Sequence, residues 1–361
     1  MDRHAAKTTH ASSRGFQYVD CSAPGQKVGP YTFVGHLGKG AFSVVYDVVD
    51  VSGTSYAAKV FRHERRFARC AEVEGALLQR LVDCSHVISC VEMFLLNGAV
   101  TLVLDKAITD LYHYQKDFHI QGYSASCPTT MYPVKDLAVS LLQGLQSLEE
   151  YNVVHCDIKP ENVLLRVGDM GLQAVLADLG SACSGVKTTT DGLVASPWYR
   201  PPEVYSKGLM SHPGDLWSVG CVLFEYAFGE PLFDATRSRH TTAEEVARLH
   251  AAHIVALGEP PAGAIDTDSP IASYLGYPPS FRHTGSLSYG KSDHLAMRMR
   301  DMAKYPDLHT ILAGIFVWDA SSRVPISDAL ATVRKWGEES SVPPPAASPP
   351  LRKPGRPSPD A

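Results

Sequence analysis

Paired cysteines, an excess of positive charge and long apolar runs are all missing from this sequence. The eight cysteines are spread along the chain without a C-x-x-C pair, which favours reduced, mostly buried thiols over a disulfide or zinc framework. The formal net charge is −5, so the chain lacks the clustered Lys and Arg with which proteins bind nucleic acids and anionic membranes. No stretch approaches the roughly 20 apolar residues of a membrane span, and the first residues lack the apolar core of a signal peptide. We therefore expect a soluble intracellular protein of the cytoplasm or nucleus, with no nucleic-acid and no membrane partner.

The composition is that of a globular protein. A chain of 361 residues can bury roughly 75% of its unfolded surface, so its core needs no disulfide. Hydrophobic residues make up 45% and charged residues 20% of the chain, within the range of ordinary soluble domains.

Secondary-structure patterns divide the chain into a β-rich and a helical part. Residues 1–30 are polar and predict a flexible lead-in. Residues 31–105 contain short β-branched runs that predict strands, namely TFVGHL, SVVYDVVDV and SYAAKVF. One segment of this part has helical spacing instead, which predicts a helix over 70–81 from Val73, Leu77, Leu78 and Leu81.

The second part, residues 108–336, is mostly helical in pattern, with two strand-like pieces, NVLLRV and QAVLAD. The pattern predicts an α+β fold with a small β-rich lobe and a larger α-helical lobe. Residues 337–361 are rich in Pro and poor in apolar side chains, which predicts a disordered tail.

A glycine-rich turn and a lysine come first among the residues that carry chemistry. Gly38 and Gly40 lie between two strand-like runs, where glycine lets the backbone approach a bound group, although an ordinary hairpin turn has the same pattern. Lys59 lies in the predicted strand SYAAKVF. A lysine in such an apolar strand either reaches solvent or is held by a carboxylate and an anion. Glu74 on the following helix is the candidate partner, with Glu72 as its competitor.

The strongest signal is a loop between an apolar helix and an apolar strand. Asp157, Lys159 and Asn162 lie in this loop, which can direct all three side chains at one point. Asp178 ends a second strand and is followed two residues later by Gly180. Each of these acidic residues alone could simply cap a turn or lie on the surface. The order and spacing of all these polar residues together make that interpretation improbable.

The order of these motifs resembles the signature set of eukaryotic protein kinases. The resemblance continues through Trp198 to Glu203, through Asp215 to Gly220, and to Arg323, so that it covers about residues 31–336. It implies a bilobal kinase fold, ATP and Mg²⁺ as cofactors, and protein substrates. Within kinases, the details resemble the group of cyclin-dependent, MAP and DYRK-like enzymes.

The resemblance also implies roles for individual residues. Asp157 would be the base that orients the substrate hydroxyl, Lys159 would steady the γ-phosphate, and Asn162 would complete the catalytic loop. Asn162 and Asp178 would bind Mg²⁺. The ATP-binding residues would be Leu37, Gly38, Lys39, Gly40, Ala41, Phe42, Ser43, Val45, Ala57, Lys59, Glu74, Asp105, Ala107 and Leu164. The substrate loop and its supports would be Ser196, Arg200, Glu203, Asp215 and Arg323.

The chain departs from the kinase pattern at three positions. Ser43 replaces the third glycine of the loop and Leu179 replaces the usual Phe, and we expect both to be tolerated. Cys156 replaces the arginine that commonly binds a phosphorylated activation-loop residue, and Asp191 stands where that residue usually lies. We therefore hypothesise activity without phosphorylation there. Leu193 occupies the place of the tyrosine acceptor of the DYRK branch.

Substrate preference and two other function classes stay open in the sequence. The resemblance implies a Ser or Thr acceptor, because the catalytic loop carries the lysine typical of Ser/Thr kinases. Arg200 matches the arginine that favours a following proline in this group, whereas the neighbouring Pro197 is unusual. A catalytically weak pseudokinase or scaffold is the main alternative, although the four central polar residues are all present. A small-molecule kinase is the second. The physiological substrate and any activating partner cannot be read from the residues.

Overall fold

The computed structural model describes residues 25–120, 132–168, 171–188, 194–233 and 305–337. The predicted tail beyond residue 337, together with Asp191 and Leu193, lies outside these residues. Within them, no helix combines the length and the apolar character needed to cross a membrane.

The β-rich part is one antiparallel sheet of six strands in the order β1-β2-β3-β4-β6-β5. Its strands are β1 (Lys27–Val28), β2 (Tyr31–Lys39), β3 (Ser43–Val49), β4 (Ser55–Phe61), β5 (Cys90–Leu96) and β6 (Ala99–Asp105). Alternate residues of each strand point to opposite faces. One face buries Tyr46, Val48, Ala58 and Val60 in a small apolar core, which leaves Val45, Ala57 and Lys59 on the other face.

The sheet starts earlier than the sequence predicts. Residues 1–30 were expected to be a flexible lead-in, but Lys27 and Val28 pair with Thr32 and Tyr31. Gly29 makes the turn with φ +60, and a Cβ there would lie 2.6 Å from the ring of Phe94. Glycine meets both constraints without strain, which favours the reversal of the chain at this point.

Helix α1 (Arg65–Arg80) begins five residues before the predicted helix over 70–81. The basic residues of its first turns mask the apolar pattern, although arginine is a good helix former. Its buried face carries Ala71, Glu74, Leu78 and Leu81, at spacings of three and four residues. Val73, which the prediction put on this face, is 41% exposed.

The helical part consists of six described helices. They are α2 (Leu111–Ile120), α3 (Val134–Glu150), α4 (Pro202–Lys207), α5 (His212–Phe228), α6 (Pro306–Ile315) and α7 (Ile326–Arg334). Helix α3 packs against both α5 and α7. Helix α5 is buried on nearly all sides, and its Trp217 and Phe224 are among the largest fully buried side chains.

Short strands position the loops of the helical part. They are β7 (Thr109–Asp110), β8 (Val153–Val154), β9 (Val163–Gly168), β10 (Gly171–Leu176), β11 (Cys183–Ser184), β12 (Lys187–Thr188) and β13 (Leu209–Met210). Strand β9 pairs with β10 and β7, β8 with β11, and β12 with β13. The predicted α+β fold with two lobes is confirmed.

Candidate active site

The glycine-rich turn joins β2 to β3. Gly40 N–H donates to the carbonyl of Ser43 across 2.9 Å, which closes the turn. A Cβ at Gly38 would meet no atom within 4 Å, so this glycine leaves open space. Phe42 at the tip is 53% exposed, and its ring lies 5.4 Å from that of Phe67 on α1.

Three charged side chains from distant segments meet beneath this turn. Lys59 Nζ lies 2.7 and 2.8 Å from Glu74 Oε1 and Oε2, and 2.8 Å from Asp178 Oδ1. Lys59 and Glu74 are buried. Glu72, the competing partner, is exposed, because it lies on the outer side of α1.

The protonation states of this cluster follow from burial and neighbouring charge. Burial alone would lower the pKa of Lys59, but the carboxylates of Glu74 and Asp178 raise that pKa above its ordinary value. Burial raises the pKa of Glu74 despite Lys59. Burial would also raise the pKa of Asp178, yet the Lys59 ammonium holds it below its usual range. Lys59 is therefore cationic and Asp178 anionic at neutral pH.

The loop after β8 holds the second polar group. Lys159 Nζ donates to Asp157 Oδ2 across 2.8 Å, and Ser196 Oγ donates to Asp157 Oδ1 across 2.8 Å. Asn162 Nδ2 donates to the Asp157 carbonyl oxygen at 2.8 Å. Both carboxylate oxygens of Asp157 are thus fixed. Lys159 also lowers the pKa of Asp178, so the two polar groups adjoin.

A buried carboxylate on α5 stabilises the start of this loop. Asp215 accepts the backbone N–H groups of His155 at 2.6 Å and Cys156 at 3.0 Å. Cys156 has φ +68, a left-handed conformation that costs a non-glycine residue roughly 1–2 kcal/mol. Burial raises the pKa of Asp215 to about 7. Its two accepted hydrogen bonds hold the strained turn in place.

His155 supports the loop as a neutral ring. Its Nδ1 accepts the Asp157 N–H at 3.3 Å, so its Nε2 carries the hydrogen that the Ala177 carbonyl accepts at 3.0 Å. Burial lowers the pKa of His155, which agrees with this neutral tautomer. The ring thereby links the Asp157 loop to the strand end that carries Asp178.

The remaining nucleotide-site candidates lie around the segment between the lobes. Leu37 is exposed, and the other candidates here are partly buried, namely Ala57, Asp105, Ala107 and Leu164. Leu104, which precedes Asp105 on β6, is buried. Lys39, Gly40 and Ala41 in the turn are exposed, whereas Ser43 is buried. Ala57 of β4 is the direct neighbour of Leu104 on β6, so the sheet brings these two side chains together.

Two arginines among the substrate-loop candidates make paired hydrogen bonds. Glu203 on α4 binds Arg323 through two hydrogen bonds of 2.7 and 2.6 Å. Arg200 donates to the carbonyls of Val194 at 2.7 Å and Ala195 at 2.6 Å. Ala195 has φ +65. The sequence does not predict this left-handed conformation, because residues other than Gly, Asn and Asp give little indication of it.

An apolar cluster surrounds the position where kinases commonly have an arginine. Cys156 packs with Val154, Val204 and Met210, and Cys183 lies against this cluster. The two thiols are 3.8 Å apart. A hydrogen bond from Cys156, aided by the charge of Lys187, lowers the pKa of Cys183 to about 7 despite partial burial. No motif in the sequence marks Cys183.

Residues 31–333 match the sequence model of the protein kinase domain, and the chain therefore belongs to the protein kinase domain family. Dual specificity tyrosine-phosphorylation-regulated kinase 3 of Homo sapiens is 34% identical over 203 residues, which are 55% of this chain and 33% of that protein. Dual specificity tyrosine-phosphorylation-regulated kinase 4 of Homo sapiens is 29% identical over 317 residues, which are 83% of this chain and 56% of that protein.

A nematode relative has a similar level of identity. Dual specificity tyrosine-phosphorylation-regulated kinase mbk-2 of Caenorhabditis elegans is 31% identical over 252 residues, 67% of this chain and 29% of that protein. The chain spans about a third of the length of the first of these relatives. These similarities support the DYRK-like resemblance of the motifs.

Proposed function

We propose that this protein transfers the γ-phosphoryl group of ATP to serine or threonine hydroxyls of other proteins. The observation that carries the proposal is the charge arrangement around Lys59. This buried ammonium is held by Glu74 and Asp178, next to the loop in which Asp157 has both oxygens fixed. Phosphoryl transfer depends mainly on positioning and on neutralisation of phosphate charge, and this arrangement supplies both.

Lys59 is suited to bind the α- and β-phosphates of ATP. Its ammonium has two anionic partners, Glu74 and Asp178, which keep it charged and hold it in one orientation. The backbone amides of the turn that contains Gly38 and Gly40 would cover the phosphates. The adenine would lie between Leu37, Val45, Ala57 and Leu164, with the backbones of Asp105 and Ala107 at its edge.

The residues near Lys59 also fit a magnesium ion. Mg²⁺ prefers oxygen ligands and is commonly held by one or two protein side chains together with substrate phosphates. The Asp178 side chain is 46% exposed and is ionised. The amide nitrogen of Asn162 donates to the Asp157 carbonyl, so the amide oxygen of Asn162 would be the metal ligand. Asp178 and Asn162 would hold the ion, and its charge would offset that of the phosphates.

Asp157 would act on the acceptor hydroxyl. Its carboxylate accepts hydrogen bonds from Lys159 and Ser196, which fix its direction, and a substrate hydroxyl would donate to the same carboxylate. This orients the hydroxyl oxygen for attack on phosphorus, and the proton passes to Asp157 as the new bond forms. Lys159 would steady the transferred phosphoryl group.

Activity without phosphorylation at the Asp191 position follows from the surroundings of Cys156. The usual phosphate clamp needs a cationic side chain directly before Asp157, whereas this position holds Cys156, whose neighbours Val154, Val204 and Met210 are apolar and which senses the charge of Lys187. This cluster packs Val194 and Ala195 of the substrate loop against the catalytic loop by apolar contacts. We expect phosphatase-treated enzyme to keep its activity; loss of activity would contradict this part and direct attention to Thr188, Thr189 and Thr190.

A preference for proline after the acceptor is supported by the geometry of Arg200. It donates to the carbonyls of Val194 and Ala195, which makes these oxygens weaker acceptors for the next backbone N–H of a substrate. The N–H of an ordinary residue there would be poorly paired, at a cost of up to about 1–3 kcal/mol. Proline has no N–H and loses nothing.

Transfer of labelled phosphate from ATP to a generic basic protein tests the proposal. We expect transfer by the parent and none by Asp157→Asn or Lys59→Met. The matched controls are Asp307→Asn and Lys116→Met, which change exposed side chains of the same types and should keep full activity. A parent that binds ATP but transfers no phosphate would instead support the pseudokinase alternative.

A further inference from the structure

Asp105, the last residue of β6, and Lys106, the first residue of the interlobe segment (residues 106–107), form ion pairs in opposite directions. Lys106 Nζ lies 2.8 Å from Asp47 Oδ2 on β3, in the β-rich lobe. Asp105 Oδ2 lies 3.3 Å from Arg166 Nη1 on β9, in the helical lobe. Lys106 therefore fastens the interlobe segment to β3 of the sheet, and Asp105 fastens the end of β6 to the helical lobe.

Asp47 lies on the nucleotide face of the sheet. The register pairs Asp47 with Ala57, and Ala57 with Leu104. Directly paired residues project to the same face, so Asp47 shares its face with the side chains proposed to contact the adenine. The contact between Lys106 and Asp47 thus closes the corner where β3 approaches the interlobe segment.

We propose that Asp47 and Lys106 are positioning residues for the nucleotide. The proposal rests on the proposed ATP site, in which the backbones of Asp105 and Ala107 bind the adenine edge. Lys106 lies between these two residues, so fixing its side chain fixes the peptide groups on either side. Preformed backbone donors and acceptors bind without the loss of freedom that a mobile segment incurs.

The burial of the pair makes it stronger than an ordinary surface contact. The Lys106 side chain is 31% exposed and that of Asp47 is 17% exposed, whereas fully exposed pairs contribute little. Asp47 Oδ1 is buried and accepts no hydrogen bond within the described part of the chain. Removal of Lys106 therefore leaves a shielded carboxylate without its cation, which is more costly than neutralising both partners.

Binding of ATP and of adenosine by purified full-length variants tests this inference. We expect Asp47→Asn and Lys106→Met to weaken both ligands by about fivefold or more, which corresponds to the loss of one partly buried ion pair. Lys106→Met should have the larger effect. The charge-reversed pair, Asp47→Lys with Lys106→Asp, should recover most of the affinity. In turnover assays the single variants should raise KM for ATP and change kcat less than about twofold.

Two further variants separate this role from general damage to the site. Lys59→Met should weaken ATP but not adenosine, because Lys59 is proposed to contact only phosphate. Lys27→Met, which removes an exposed contact with Thr32, should change neither affinity. Thermal unfolding of each variant reports whether it folds; if Lys106→Met does not, the shape-conserving Asp47→Asn and the charge-reversed pair decide.

The outcomes distinguish this inference from the proposed function. Unchanged adenosine affinity in folded Asp47→Asn and Lys106→Met would overturn the positioning role and leave the kinase assignment intact. Failure of the charge-reversed pair to recover affinity that both single variants lose would also overturn it, because the effect would not depend on the ion pair. A parent that binds neither ATP nor adenosine would overturn the proposed function itself.

Discussion

Arg323 and Glu203 lie 120 residues apart in the chain and meet through two hydrogen bonds, Nη1 to Oε1 at 2.7 Å and Nη2 to Oε2 at 2.6 Å. Both side chains are buried, and Arg323 also donates to the carbonyls of Val317 and Pro213. This fork-shaped pairing joins α4 to the turn before α7 and to the start of α5. It fixes the support beneath the proposed substrate loop.

Replacement of Arg323 by Met should destabilise the protein strongly. The change leaves the buried carboxylate of Glu203 without its cation, which typically costs about 3–5 kcal/mol. Arg323→Lys should lose less, because it keeps the charge but not the two-fold geometry. Urea denaturation followed by fluorescence measures both effects. Arg334→Met, at an exposed position of α7, is the control, and an equal midpoint for Arg323→Met and this control would contradict the role.

Removal of the Ser196 hydroxyl should slow turnover without weakening nucleotide binding. Ser196 Oγ donates to Asp157 Oδ1 at 2.8 Å and accepts from Lys159 Nζ at 3.2 Å. A hydrogen bond to a charged group contributes about 1.5–3 kcal/mol, so Ser196→Ala should lower kcat by about 10- to 100-fold. Its KM for ATP should stay within about twofold of the parent value.

The threonine variant at the same position is the internal control for that effect. Ser196→Thr keeps the hydroxyl and should recover most of the parent kcat. Steady-state kinetics at saturating ATP compares the three enzymes. Equal kcat for the alanine and threonine variants would show that the hydroxyl does not orient Asp157.

Glu225 should make stability depend on pH. Burial raises the pKa of this carboxyl from 4.5 to about 7, although Tyr199 Oη donates to it across 2.7 Å. The folded chain therefore binds the proton more tightly than the unfolded chain, and this group adds stability as the pH falls from about 7 towards 4.5. Above pH 7 the buried charge opposes folding.

Glu225→Gln removes this titration. The variant should unfold at a higher temperature than the parent at pH 8, and the difference should shrink as the pH is lowered to 6. Thermal unfolding of both proteins across this range is the measurement. The exposed Glu149→Gln should follow the parent at every pH. A constant difference between Glu225→Gln and the parent would exclude a proton-linked cause.

The sequence predicted those parts of the fold that depend on local pattern and chain order. The strand SYAAKVF is found with the same bounds as β4, because aromatic and β-branched residues favour a strand and its Val60 and Phe61 are buried. Helix α1 (Arg65–Arg80) was only partly predicted, because the sequence pattern indicates a helix over 70–81 alone. Its first turns are basic, and their helical state depends on the packing of Phe67 and Ala71, which are both buried.

The kinase resemblance names Asp215 as a support of the site, but the contacts that the supports make could not be predicted from the sequence. Asp215 binds two backbone amides 59 and 60 residues away, and no spacing rule relates a carboxylate on one helix to a distant loop. Cys156 and Ala195 adopt left-handed backbone conformations, which neither residue type predicts. The contact of Asp47 with Lys106 depends on the strand register, which places Asp47 beside Ala57 only once the sheet has formed.

Peptide substrates that differ at one position should reveal a preference for proline. Ala195 has φ +65 and its carbonyl already accepts from Arg200 Nη2 at 2.6 Å, so we expect it to be a weak acceptor for a substrate N–H at the next position. We expect kcat/KM for a Ser-Pro peptide to exceed that for the matched Ser-Ala peptide by about tenfold, the equivalent of one unpaired N–H group. Arg200→Lys cannot bind both carbonyls as the guanidinium does, and it should reduce this ratio more than it reduces the rate on Ser-Ala. Equal kcat/KM for the two peptides with the parent enzyme would rule out the preference, and a ratio unchanged in Arg200→Lys would assign the preference to other residues.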